Sequence, residues 1–262
     1  MLLLSALLLA LAQPGDTPGE APPDPHCPRG DLNHGRPADL GCIGRLTPRY
    51  SFAVTYPREI AAIPPLLRRI RMQAAADQAL LRRQADAEWA RARREGEGEP
   101  PHFFQDEAWD LDAALPELAA ISATTQIYTG GAHEGLAYDS YLLDRRTGRP
   151  VTLAAIFSGR GGMGAVGRGL CAALTAEFRE RRGDPAATPP CPPAAGVPVT
   201  LICTNGRIGS LRALLGPYVV GSWAEGPYEI DFDVTPRMRA AVAPRFRAAF
   251  LPRPGAGRCG GG

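Results

Sequence analysis

The chain predicts an α+β fold of antiparallel sheet with helices packed on one side, and three observations lead there. Short stretches that alternate apolar and polar residues follow one another over 107–157 and again over 197–234, with only turns or one helix between them. Two segments, 66–94 and 163–181, carry apolar residues at helical spacing instead. The 262 residues are 45% hydrophobic and 21% charged, enough apolar matter for a folded core and too little charge for a disordered chain.

The elements follow in order. Leu2–Leu11 is an apolar run too short to span a bilayer, and Ala10-Leu11-Ala12 has the small-x-small pattern of a signal-peptidase site. Residues 1–12 are therefore expected to be a signal peptide, with no lipid anchor because no Cys follows the cleavage point. No later stretch reaches about 18 apolar residues, so no transmembrane segment is expected in the mature chain. Residues 13–48, rich in Pro and Gly, read as an irregular leader. Tyr50–Tyr56 alternates as a strand and stops at Pro57. Pro64 and Pro65 suit a first helical turn, where a missing N–H is no loss. The helix then runs to about Arg94, with Leu67, Ile70, Ala74, Leu81, Ala85 and Trp89 on one stripe. Its opposite face carries many arginines interrupted by Asp77, Asp86 and Glu88, the pattern of a solvated surface.

Strands are expected over 107–115, 118–128 and 136–143, with Val151–Phe157 continuing into the core after a Thr147-Gly148 turn. Such close succession is antiparallel grammar. Met163–Arg181 follows as a helix with Val166, Leu170, Leu174 and Phe178 on one face. Beyond a Pro-rich loop, 197–203 and 208–215 frame Asn205-Gly206, a type I′ hairpin turn. Tyr228–Val234 alternates strictly, and Thr235-Pro236 opens a last helix to about Phe250. Residues 253–262 are expected to form a flexible tail.

Charge restricts the partners. All 29 basic residues are arginine, but 27 acids leave a net charge of only +2, so nucleic acid is not an expected partner. Six cysteines, an even number, suit an oxidising compartment, periplasmic or secreted. His26, Cys27, His34 and Cys42 have neither the order nor the spacing of a zinc site, so disulfides are expected in place of metal. Cys27–Cys42 is the natural local bridge. Among Cys171, Cys191, Cys203 and Cys259 three pairings stay open, with Cys171–Cys191 favoured because it ties a helix to the loop after it.

Candidate sites gather at two places. His133, in Gly130-Gly131-Ala132-His133-Glu134, sits at a hairpin corner and could act as a base or metal ligand with Glu134, Asp139 or Asp144. Such corners need glycines for their positive φ whatever the chemistry, so a contact role for His133 and Glu134 is preferred over a catalytic one. Tyr218, Trp223 and Tyr228 flank Ala224-Glu225-Gly226 and could form an aromatic platform. A nucleophilic GxSxG is absent. The cluster Gly159-Arg-Gly-Gly-Met-Gly164 lacks the lysine of a phosphate-binding loop, and no cofactor or metal is expected.

Three stretches together carry a family resemblance. Tyr128–His133 with Tyr141–Asp144, Thr147-Gly148 and Val151–Phe157 resembles the signature of DUF3298-type domains, and Gly216–Tyr228 leading into Glu229–Val234 is similar to a later segment of the same family. Tyr50–Pro57 and the following helix are similar to the DUF4163 module that precedes it, which places the modules at 49–127 and 128–252. In that family the tandem precedes the catalytic domain of a peptidoglycan deacetylase, and forms the extracellular, lysozyme-binding domain of an anti-sigma factor. The chain ends soon after the tandem, so neither deacetylation nor transmembrane signalling is expected to carry over. The resemblance implies an exported, non-catalytic binding module of the cell envelope, its ligand a lysozyme-like protein or a peptidoglycan fragment. Glu134, Glu225 and Glu229 would meet a basic protein partner. The rival readings are a metal-assisted or His/carboxylate hydrolase of cell-wall material and a purely structural envelope protein.

Overall fold

The computed structural model describes residues 40–251 together with Cys259. The expected signal peptide, the first part of the leader and most of the tail lie outside these residues, as does Cys27, the proposed partner of Cys42. Cys42 is itself disulfide-bonded. The two other bridges are Cys171–Cys191, as favoured from the sequence, and Cys203–Cys259.

Among the described residues, nine strands form two sheets. The larger has six strands in sequence order: β1 (Leu40–Leu46), β2 (Tyr50–Pro57), β3 (Phe103–Ala114), β4 (Leu118–Tyr128), β5 (Gly135–Asp144) and the two-residue β6 (Arg149–Pro150). The smaller is a meander of β7 (Val199–Thr204), β8 (Arg207–Leu215) and β9 (Tyr228–Asp233). The helices are α1 (Pro64–Glu95), α2 (Leu153–Ile156), α3 (Gly162–Arg182) and α4 (Pro236–Ala240). The α+β class is as expected.

Alternation along β4 divides the molecule. Ala119, Ile121 and Ala123 pack with Phe52, Val54, Trp109 and the buried stripe Leu66, Ile70, Ala74, Leu81 and Ala85 of α1. Leu118 and Ala120 turn to the opposite face, where they join Leu201, Leu211, Phe232 and the α3 residues Val166, Leu170, Leu174 and Phe178. Two apolar cores thus share one sheet as their common wall, and burial of these side chains is the main stabilising term.

Several expectations are corrected. Residues 40–46, placed in an irregular leader, form β1, because seven residues pair antiparallel with β2 and Ile43 packs on the core beneath α1. Gly41 is what admits it: a Cβ there would lie 2.2 Å from the Tyr56 ring. The pairing of β2 with β3 is parallel, not antiparallel. A 32-residue helix separates the two strands and carries the chain back to its starting end, so this part is a β–α–β crossover. Residues 153–156, within the stretch expected to continue into the core, form α2: Thr152 caps it by accepting the Ala155 N–H at 3.2 Å. The last helix ends at Ala240, and a 3-10 segment follows over Pro244–Phe250, since Pro244 has no N–H for a continuous helix. Asn205 and Gly206 have φ of 52° and 72°, as a type I′ turn requires.

The glycine cluster before α3 serves packing. A Cβ on Gly159 would stand 2.7 Å from the Ala241 backbone, and one on Gly162 would stand 2.2 Å from the Phe157 carbonyl. Gly162→Ala is expected to lower stability by about 2 kcal/mol through this overpacking, read as a shift in the urea midpoint.

Candidate functional site

Three aromatic side chains meet at one exposed corner. His133 sits on the loop that joins β4 to β5, where Gly130 takes a φ of 93°. Its ring stacks on Trp223 with centroids 4.3 Å apart and an interplanar angle of 20°. Tyr218 leans on the same indole at 6.4 Å. The Nδ1–H of His133 donates to the Glu134 carbonyl at 2.7 Å, since a carbonyl can only accept. Nε2 faces the Tyr218 hydroxyl at 3.5 Å.

The loop over 216–227 is built to hold this corner. Trp223–Glu225 form one 3-10 turn with a capping box between Ser222 and Glu225. The Arg182 guanidinium bonds both oxygens of Glu225, and this ion pair holds that carboxyl below the usual carboxylate range. Arg181 donates to the Pro227 carbonyl at 2.8 Å and lies over the Tyr228 ring at 4.1 Å. Tyr218 has a φ of 68°, a left-handed conformation unusual for a bulky residue, yet its side chain is 67% exposed. Val219 beside it is also exposed.

The structure therefore unites His133, Tyr218 and Trp223 and separates the rest. Glu134 is exposed next to His133. Tyr228 is 1% exposed, packed against Phe178, and Glu225 is engaged by Arg182 and Ser222, so both belong to the framework. Asp139 turns to Arg69 and its own chain, and Asp144 accepts the Arg146 and Thr147 N–H groups of the following turn. Neither supports His133 as a base. Among the described residues, no three His, Cys, Asp or Glu side chains converge in a way that would hold a metal ion.

One polar group had no forecast. Asp112, at a bulge in β3, accepts the Thr200 hydroxyl at 2.7 Å across the two sheets. Burial pushes its carboxyl up to about 6 against the pull of that bond. Nearby Arg212 is bound by Asp231 at 2.6 Å and lies 3.9 Å from Glu229, which also accepts the Tyr138 hydroxyl. The signal in the sequence was Asp110 and Asp112, charges of one parity within a strand otherwise rich in apolar residues. A separate cleft of about 420 Å³ beside β5, lined by Ser140, Tyr141, Leu142, Val151, Val197 and Val199, is mostly apolar and offers little to a reaction.

No protein-family model matches the chain, and no curated protein does. Several solved structures are similar to it, among them two DUF3298 family proteins. One is a DUF3298 family protein from Pseudomonas aeruginosa PAO1, with 15% identity and a TM-score of 0.48, over 82% of this chain and 97% of that one. The other, a DUF3298 family member from Bacteroides fragilis NCTC 9343, has 15% identity and a TM-score of 0.47, over 74% and 90%. Likeness at this level bears on neither site nor ligand.

Proposed function

We propose that the protein is an exported, non-catalytic binding module of the cell envelope, and that it holds a glycan of the peptidoglycan type on the His133–Trp223–Tyr218 corner. The observation that carries this reading is the stacked ring pair with Tyr218 beside it, strained and exposed. Aromatic faces bind the apolar face of a sugar ring, and rigid rings lose little entropy when they do. The choice of a glycan over a basic, lysozyme-like protein follows from the acids. Of Glu134, Glu225 and Glu229, expected to meet such a protein, the last two are already engaged by Arg182 and Arg212. Export is supported by the disulfides and by the leader sequence. No helix among the described residues is long and apolar enough to cross a membrane. Residues 49–127 and 128–252 are the two modules of this binding unit.

Calorimetry with soluble peptidoglycan fragments tests the reading. Trp223→Ala is expected to weaken binding by about thirtyfold, a hot-spot loss, and Tyr218→Ala by roughly tenfold. Both leave the cores intact, so far-ultraviolet circular dichroism should not change. An absence of heat at high micromolar fragment, with binding to lysozyme instead, would replace the glycan by the protein partner. No binding to either would remove the proposal.

A further inference from the structure

Beneath α1 lies a group of charges that the aromatic corner does not use. Glu107 of β3 is 2% exposed and shares its face with Trp109. Its Oε1 accepts the Trp109 indole N–H, while Oε2 is buried with no hydrogen-bond partner. From α1, Asp77 and Arg69 act on it, and from β5, Asp139 does. Tyr141, also on β5, lies under the Arg69 guanidinium at 5.6 Å. The register neighbours of Glu107 on β2 and β4 are Val54 and Thr125, which bring no charge. Three carboxyl groups therefore face one guanidinium, and Arg69 is already drawn to Asp139 at 3.4 Å.

An ionised Glu107 would be a buried charge with one bare oxygen, repelled by Asp77 and Asp139. That arrangement is costly, and a proton or water relieves it. Water has a route, because the side chains of Arg69 and Asp139 are about 40% and 39% exposed at the rim. Gln73 and Arg69 on the same stretch of helix also keep a buried polar atom without a partner, while Asp77 is bonded by Gln73 and by Gln105 of β3.

We propose that Glu107 is a proton-operated latch for α1: protonated, it lets the helix lie on the sheet, and ionised, it favours a state in which the stretch Arg69–Asp77 lifts to hydrate the carboxylate. Burial, aided by Asp77 and Asp139, pushes the carboxyl up to about 7 in the docked state, against an ordinary value of 4.5 when hydrated. The docked form then binds more protons than the lifted form between these values. Lifting grows as pH rises from about 5 to 7 and levels off above.

Hydrogen exchange of peptides from α1, corrected for intrinsic rates, reads this directly. Protection should fall by up to about tenfold per pH unit within that window, on the order of fortyfold in total between about pH 5 and 7. Glu107→Gln keeps an acceptor for Trp109 and should hold α1 at its low-pH protection throughout. Should that variant fail to fold, Asp139→Asn gives a second reading: removing a negative neighbour lowers the docked value, so protection should level off at a lower pH. Protection that ignores pH, a transition unchanged in Glu107→Gln, or one unshifted in Asp139→Asn would overturn the latch.

Discussion

Trp109→Ala is expected to lower the free energy of unfolding by about 4 kcal/mol, measured by urea denaturation near neutral pH. Trp109 is 1% exposed and among the largest fully buried side chains of the core beneath α1. Removing it opens a cavity that neighbours on a sheet cannot readily collapse into. It also strips Glu107 of the N–H that serves Oε1. Trp109→Phe separates these effects. The ring stays, the donor goes, and the loss should be about 1–2 kcal/mol. A loss in the phenylalanine variant equal to that in the alanine variant would mean that the bond, and not the volume, is what matters.

Replacing Cys203 and Cys259 together by alanine is expected to cost about 4 kcal/mol, with a fall in Tm on the order of 10 °C. The bridge joins residues 56 apart in sequence and ties the end of the chain to β7. At that end Ala114 of β3 donates its N–H to the Cys259 carbonyl at 3.0 Å, so the bridge also holds a contact to the larger sheet. Cys171–Cys191 spans 20 residues, and its loss should cost less, about 3 kcal/mol, because a shorter loop frees less entropy in the unfolded chain. The reverse order would count against the chain-entropy account.

Much of the fold was legible because it is written in local periodicity. The limits of β4 match the expected 118–128, those of α3 differ by one residue, and the Asn205-Gly206 turn is as its chemistry requires. Direction was not legible. Parallel and antiparallel strands alternate with the same period of two, so nothing in Tyr50–Pro57 announces which way its neighbour runs. β1 escaped because Gly41 and Gly44 are poor strand formers, and its order comes from the partner strand. The candidate site was half visible. His133 and the Tyr218–Trp223 segment were separate suspects, and their meeting is a tertiary event with no local trace. Glu107 did leave a trace: it has the parity of Phe103 and Trp109, which puts a carboxyl on the core face.

The parallel pairing of β2 with β3 has a consequence in time. β3, β4 and β5 are joined by short loops and can pair with little entropy lost to loop closure. β2 reaches its place beside β3 only across the whole of α1, and β1 follows because it pairs with β2 alone. Slow, non-local closure thus falls on the edge of the sheet that carries Cys42, and that edge is expected to be the last part of the sheet to assemble.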